Sequence, residues 1–160
     1  TGSFRFANTT HRVLEIAALL VAAGVQPALV AERVFDSASP QRLQLLARAL
    51  ATVFFYTDNR LATAALTRDM YAQTGTTQTD SEGFINHLRS VRTVELAMLF
   101  REEPDETVHV SLRSKGAVDV ASFAQRYGGG GHRHAAAFRI AGKIDSVRAL
   151  LTAEAASYLP

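Results

Sequence analysis

Residues 112–138 read LRSKGAVDVASFAQRYGGGGHRHAAAF and carry four of the chain's ten glycines in one run. Before the glycines, TVHVSLRS predicts a strand and DVASFAQRYG predicts a helix capped by Asp119. A short apolar segment, AAAFRIAG, follows them. Four glycines flanked by core-like residues such as Phe123 and Phe138 are too few for a flexible linker. The pattern therefore predicts a tight loop between a helix and the next ordered segment.

The glycine loop has the composition of an anion site. Successive glycine amides can turn inward and form a concavity for a phosphate, and a helix beginning at His132 would add free N–H groups. No Lys-Ser or Lys-Thr pair follows the glycines, so the loop is not a Walker P-loop. The predicted binding groups here are the amides of Gly128, Gly129, Gly130 and Gly131 and the His132 side chain.

The two histidines after the glycines leave several interpretations open. On a strand, His132 and His134 would point to the same side, as a metal requires, but the local sequence offers no third ligand. For His132, a hydrogen bond to a phosphate oxygen and a plain surface position are about equally favoured. For His134 the surface or capping position is favoured.

A second polar cluster ends the predicted strand in SLRSKG, residues 111–116. Arg113 can bind a phosphate through two nitrogens, Ser114 can donate a hydroxyl, and Lys115 adds charge. Alone, this cluster would be interpreted as a solvated strand end. Strand, helix and glycine loop can, however, fold back so that both clusters face one ligand.

Composition limits the protein class. The 160-residue chain is 48% hydrophobic and 20% charged, with a net charge of +2, and it has no cysteine. A packed core is expected, disulfides and thiolate metal sites are excluded, and a reducing compartment fits. No segment has the length of a membrane span or the order of a signal peptide, so a cytoplasmic protein without membrane contact is expected.

The rest of the chain divides into two parts that differ in predicted secondary structure. Residues 1–51 contain three helical segments, the last with Ser39 as cap and Pro40 at its first position. Residues 52–160 mix strands and helices, including a hairpin turned at Asp58-Asn59 and a helix over TDSEGFINHLRSV begun by Asp80 or Ser81. The predicted fold class is mixed α/β, with an N-terminal helical segment followed by a mixed β-sheet domain with flanking helices.

Three motifs in order resemble one family. Residues 112–138 resemble the DHH-associated domain of DHH phosphoesterases, closest to the NrnA-like nanoRNase and pAp-phosphatase branch, also called exopolyphosphatase-related. The family signature G-G-G-H-x-x-A-[AS]-G is matched from Gly129 to Ala136 and departs at Ala137, where the family usually has glycine. TGSFRFANTT is similar to the end of the catalytic DHH domain, and SEGFINHLRSVRTVELAMLFRE is similar to the opening of the associated domain.

The resemblance implies a function divided between two domains. Residues 1–51 would be the end of the DHH domain with its linker, and residues 52–160 the associated domain, which grips the substrate. Two manganese ions in the DHH domain would activate water for attack on a phosphate ester. The DHH motif is missing here, so the chain is expected to be a C-terminal fragment that does not hydrolyse phosphate esters alone. The implied substrate-binding residues are Arg113, Ser114, Lys115, the four glycines and His132, with Asn86 and Arg89 as weaker candidates.

The expected ligand is a short oligonucleotide or pAp, with a cyclic dinucleotide as a close variant. A different class is a module for long single-stranded nucleic acid, as in RecJ-like exonucleases, although a net charge of +2 argues mildly against it. A third is a structural or dimerisation domain, because Leu14, Leu20 and similar residues invite self-association. The expected partners are therefore the nucleotide substrate, the DHH domain of the same parent chain and, in the third case, a second copy.

Overall fold

The computed structural model describes residue 4 and residues 8–159, in two compact units that divide between Ser39 and Pro40. The similarity of TGSFRFANTT to the end of a DHH domain falls mostly on residues 1–3 and 5–7, outside the described residues. The compact second unit begins earlier than the expected boundary at 51/52. The reason is that the third helix buries Leu45 and Ala49 in the core beside the sheet.

The first unit contains two helices, α1 (His11–Ala22) and α2 (Pro27–Phe35). Thr10 caps α1 by accepting a hydrogen bond from the Val13 amide at 3.4 Å, and Gly24, with φ of +100°, follows its end. Within the described residues no single helix has the length and apolarity to cross a membrane. α1 and α2 have them only when taken together, and the two helices are bent by 108° at the break between them. Large apolar side chains remain exposed on both helices: Leu14, Ile16, Leu19, Leu20, Val21, Leu29, Val30, Val34 and Phe35.

The second unit is built on a six-stranded mixed sheet in the order β1-β2-β3-β4-β6-β5. β2 and β3 run parallel, and all other neighbouring pairs are antiparallel. The strands are β1 (Phe54–Tyr56), β2 (Leu61–Leu66), β3 (Leu96–Glu102), β4 (Thr107–Ser114), β5 (Gly130–His132) and β6 (Ala135–Ala141). The helices are α3 (Pro40–Ala51), α4 (Arg68–Thr74), α5 (Ile85–Ser90), α6 (Val120–Gln125) and α7 (Ile144–Ala156).

Each face of the sheet carries its own hydrophobic core. On one face, which we call the α7 face, side chains such as Met98 and Leu112 pack with residues of α6 and α7, including Phe123 and Leu151. On the other, the α5 face, residues of β2 and β3 such as Leu99 pack with α3, α4 and α5. The period-2 alternation of a strand assigns each residue to one face. The mixed α/β class and the helical N-terminal segment are as expected.

The local predictions were mostly confirmed. Thr57, Asp58 and Asn59 all have positive φ, as a tight hairpin between β1 and β2 requires. The helix predicted over TDSEGFINHLRSV is present, but its predicted start at Asp80 or Ser81 is wrong. A short 3₁₀ turn at Gln78–Ser81 is followed by Gly83 at φ +83°, and α5 begins only at Ile85.

Asp80 stabilises that 3₁₀ turn instead of capping α5. Its carboxylate accepts a hydrogen bond from the Thr77 amide at 2.8 Å, and this bond lowers the pKa of Asp80.

Candidate functional site

Arg113 and His132 lie in one row across three strands. Arg113 of β4 pairs with Ala135 of β6, and Ala135 pairs with His132 of β5. Residues paired across strands project to the same face, so both side chains belong to the α5 face. With strands about 4.8 Å apart, the two Cα atoms are about 10 Å apart. The small Ala135 side chain between them leaves room for a ligand.

Arg113 lies in an environment that favours an anion. Its guanidinium is half-buried and donates one 2.8 Å hydrogen bond to the neighbouring Leu112 carbonyl. No carboxylate among the described residues pairs with it. Burial lowers the pKa of Arg113, and the nearby charges of Arg89 and Arg101 lower it further. Because arginine stays charged at neutral pH, Arg113 carries a partly desolvated positive charge that no described carboxylate pairs with.

Lys115 and Arg89 extend this positive charge. The Lys115 ammonium donates to the Val91 carbonyl at 2.7 Å, and its pKa is lowered by burial and then by Arg89. The Lys115 amide donates to the Glu95 carbonyl, but the Glu95 carboxylate is held by two hydrogen bonds from Arg60, at 2.9 and 3.2 Å. The Glu95 carboxylate is therefore paired with Arg60 and not with Lys115. We call Arg89, Arg113, Lys115 and His132 the cationic surface.

Asn86 shares a side of α5 with Arg89. The two residues are three positions apart, which places them next to each other on a helix surface. Ile85 and Leu88 form the opposite, buried side of α5 against the sheet. Asn86 is exposed. The structure therefore puts Asn86 next to Arg89 of the cationic surface.

The glycine amides do not form the concavity expected from the sequence. Gly128 has φ of +72° and its amide donates to the Gln125 carbonyl, while the Gly129 amide donates to the Ala124 carbonyl at 3.0 Å. Both bonds close the C-terminal end of α6. Two of the four amides thus satisfy helix carbonyls and are not available to a phosphate.

No helix begins at His132, because residues 130–132 form the edge strand β5. The glycines are explained by close packing of this strand on β6. A Cβ on Gly129 would lie 2.8 Å from the Phe138 Cα, and one on Gly131 would lie 2.6 Å from the Ala136 Cα. Gly130 meets nothing within 4 Å and has no positive φ. Gly130 therefore has room for a side chain, and the steric constraint falls on Gly129 and Gly131.

Ser114 is separated from the cationic surface. It faces the opposite side of the sheet from Arg113 and is 2% exposed. Its hydroxyl donates to the Val118 carbonyl at 2.7 Å and lies 3.0 Å from the His134 Nδ1. Ser114 and His134 therefore join the end of β4 to the β5–β6 turn. The phosphate-binding role expected for Ser114 is not supported by this geometry.

Three polar residues missed at the sequence level continue along the α5 face from Arg113. Ser111 and His109 alternate with buried residues on β4, and Arg101 lies beside them on β3. The Arg101 guanidinium donates to the Ser111 hydroxyl at 2.6 Å and lies 3.4 Å from the His109 Nδ1. The alternation in TVHVSLRS was the available signal, since residues two apart on a strand share a face.

Two cavities of the structure lie away from the cationic surface. Cavities of about 850 and 510 Å³ both include Arg68, Glu102 and Glu103, at the opposite end of β3 and β4 from Arg113. In the part of the chain that is described, no group of three or more histidine and carboxylate residues could hold a metal ion. The arrangement is suited to binding an anion through positive charge and hydrogen bonds.

Comparison with known proteins identifies the family of this chain. The family model described as DHHA1 domain matches residues 58–157. The bifunctional oligoribonuclease and PAP phosphatase NrnA of Thermus thermophilus is 37% identical over 142 residues, which are 89% of this chain and 42% of the relative. The protein of the same name from Bacillus subtilis is 27% identical, over 82% of this chain and 41% of the relative. The chain thus spans about two fifths of the curated relatives it matches.

Two solved structures are similar in fold. An exopolyphosphatase-related protein from Bacteroides fragilis has a TM-score of 0.88 at 27% identity, over 98% of this chain and 45% of its own. A pGpG-specific phosphodiesterase from Vibrio cholerae has a TM-score of 0.54 at 12% identity, over 97% of this chain and 52% of its own, and shows the fold alone.

Proposed function

This chain belongs to the DHHA1 domain family, and from that premise we propose that its cationic surface binds the phosphate groups of a nucleotide or short oligonucleotide. The observation that carries the proposal is Arg113, half-buried beside Arg89 and without a carboxylate partner in the described chain. Such a cluster is stabilised when an anion binds to it. The relatives' names, oligoribonuclease and PAP phosphatase, describe substrates of this chemistry.

Each residue of the cationic surface has a defined role in this proposal. The Arg113 guanidinium offers two parallel N–H groups to two oxygens of one phosphate. His132, on the other side of Ala135, donates a hydrogen bond from β5, and Lys115 and Arg89 add charge from the β4 side. The small side chain of Ala135 lets the phosphate approach the sheet. These residues bind and orient a phosphate other than the one that is cleaved.

Hydrolysis is assigned to the metal-binding part of a DHH domain. The described residues do not provide a metal ligand set, so we derive no cleavage step from them. In the proposal, two manganese ions bound by that part would supply the activated water. The apolar residues exposed on α1 and α2, such as Leu19 and Phe35, would pack inside the DHH domain, because residues 1–51 are expected to be its end. The absence of cysteine fits action in the reducing cytoplasm.

The direct test is binding of pAp to the chain by calorimetry. We expect saturable binding that Arg113→Ala weakens about 10- to 100-fold, the loss of a charge-assisted hydrogen bond pair. Arg48→Ala is the matched control, because Arg48 lies on α3 and donates to the Gln73 side chain. Equal affinity of the wild type and the Arg113 variant would contradict the proposal.

Parallel titrations distinguish the ligand classes. The linear dinucleotide pApA, cyclic di-AMP and a long single strand are compared at two salt concentrations. The proposal expects pAp and pApA to bind at least as tightly as the others. A clear preference for the long strand, with a steep salt dependence, would instead support a single-strand-binding module.

A further inference from the structure

We propose that Tyr127, hydrogen-bonded to Glu154 of α7, is a positioning residue for residues 129–132, which we call the glycine strand. It holds this strand from the α7 face of the sheet and so sets the place of His132 on the cationic surface. The inference rests on the proposed function for its affinity readout. Its structural readout does not depend on any ligand. None of the residues involved belongs to the cationic surface itself.

The Tyr127 ring packs against the core on the α7 face of the sheet. It stacks on Phe138 of β6 with ring centroids 4.7 Å apart and planes at 14°. Phe123 of α6 contacts both rings, at 5.7 and 6.1 Å, and Tyr158 meets Phe123 edge-on at 4.9 Å. Stacks of this kind add about 0.5–1.5 kcal/mol beyond the area they bury. The aromatic group therefore joins α6, β6 and the C-terminal residues after α7.

The polar end of Tyr127 is bound to α7. Its hydroxyl donates a hydrogen bond to the Glu154 carboxylate, whose other oxygen lies 2.5 Å from an Arg126 guanidinium nitrogen. Arg126 also donates to the Tyr158 hydroxyl at 2.9 Å. Burial and the Glu154 carboxylate raise the pKa of Tyr127 to about 12, so the hydroxyl stays a donor at neutral pH. Since Leu151 and Ala155 are fully buried, the helix that presents Glu154 is itself fixed.

The same Phe138 side chain contacts the glycine strand. A Cβ on Gly129 would overlap the Phe138 backbone and Cβ, so Gly129 lies against Phe138 while Tyr127 stacks on its ring. Gly128 alone separates the two contacts, and it has a left-handed conformation at φ +72°. A glycine segment has no side chains of its own to hold it in place. Movement of the Tyr127 ring therefore moves Gly129 and, three residues later, His132.

Arg148 provides a control for general loosening of α7. It lies on the same helix but binds the other end of the sheet, donating to the Thr63 hydroxyl and the Thr52 carbonyl at 2.8 and 2.7 Å. Removal of the Arg148 side chain should lower the melting temperature but leave the position of residues 129–132 unchanged. A merely structural role of Tyr127 would make the two kinds of variant behave alike.

The experiment compares Tyr127→Phe, Glu154→Leu, Glu154→Gln and Arg148→Gln by pAp calorimetry and by ¹H–¹⁵N NMR. We expect Tyr127→Phe and Glu154→Leu to weaken pAp binding about 3- to 10-fold, within the range of one lost hydrogen bond. Both should shift the amide signals of residues 129–132. Glu154→Gln, which keeps an acceptor for the tyrosine, should stay close to wild type, and Arg148→Gln should bind within about twofold of it.

Unmoved amide signals in Tyr127→Phe and Glu154→Leu would overturn the inference, as would an equal loss of affinity in Arg148→Gln. If the wild-type chain binds no nucleotide, the proposed function fails but the positioning role is still decided. Amide shifts in the two Tyr127–Glu154 variants and not in Arg148→Gln would then support it, and their absence would refute it.

Discussion

The two edge strands of the sheet are equal in length and opposite in composition. β1 consists of Phe54, Phe55 and Tyr56, all exposed, and β5 consists of Gly130, Gly131 and His132. β1 is held by side chains: Arg148 reaches from α7 to Thr63 and lies 5.0 Å from the Phe54 ring centroid. β5 is held by close backbone packing on β6, and its first side chain is His132.

This difference shows how one sheet can use its edges for two purposes. Large side chains stabilise β1 by contact but cover the backbone beside them. Glycines give up that stabilisation, and the row from Arg113 to His132 is left with only Ala135 between its ends. An open, small-residue strand next to positive charge is suited to a ligand, and an aromatic strand is not.

The largest loss of stability is expected when a glycine of β5 is replaced by a residue with a side chain. Gly131→Ala places a Cβ 2.6 Å from the Ala136 Cα at a residue with φ of +147°, so overlap and backbone strain add. We expect a loss of about 4 kcal/mol in the free energy of unfolding, measured by urea denaturation.

Gly130→Ala is the matched control on the same strand. It meets open space at an unstrained φ, so its stability should stay within about 0.5 kcal/mol of wild type. Equal losses at the two positions would show that close packing is not the reason for the glycines.

A smaller loss of stability is expected when β1 loses its contact with Arg148 of α7. Arg148→Gln leaves the Thr52 carbonyl and the buried Thr63 hydroxyl without their donor, which should cost about 1–3 kcal/mol. Hydrogen exchange should then accelerate at β1 and not at β5. Faster exchange at β5 would mean that the two edges are not held independently.

The smallest expected effect is a pH dependence of stability that comes from His109 on β4. Burial lowers the pKa of His109 on β4, and the charge of Arg101 lowers it further. Glu103 raises this pKa, and Arg139 lowers it. The folded state then binds fewer protons than the unfolded state, whose histidine pKa is about 6.5. This stability is present above about pH 6.5 and is lost as the pH falls from there toward the folded pKa.

The measurement is the free energy of unfolding between pH 7.5 and 5.5. His109→Gln should flatten this part of the profile, since it removes the titrating group. Each unit by which the pKa is lowered corresponds to about 1.4 kcal/mol. An unchanged slope in the variant would assign the pH dependence to another group.

Local signals predicted most of the fold. Turn residues such as Asp58 and Asn59 and the helix cap Asp119 act on their own neighbours, so their effects can be recognised in sequence. The start of α5 was missed because Asp80 looks like a helix cap but closes a 3₁₀ turn. That choice depends on the following Gly83 and on packing of Ile85 against the sheet.

The predicted site residues differ in where the strands place them. Arg89 lies near Arg113 and Lys115, and His132 lies in one row with Arg113, but Ser114 points to the other face and is buried. Strand register decides this, because a residue one position along faces the opposite side. Arg101 could not be placed from sequence, because only the pairing of β3 with β4 brings it to Ser111.

By itself the sequence determined the order of elements, the family resemblance and the positively charged composition of the site. These depend on neighbouring residues and on short motifs. Only the tertiary structure decided what the glycines do. Hydrogen bonds to α6 use the amides of Gly128 and Gly129, and contact with β6 excludes a Cβ at Gly129 and Gly131. A glycine permits many conformations, and which of them is used depends on the residues that pack against it.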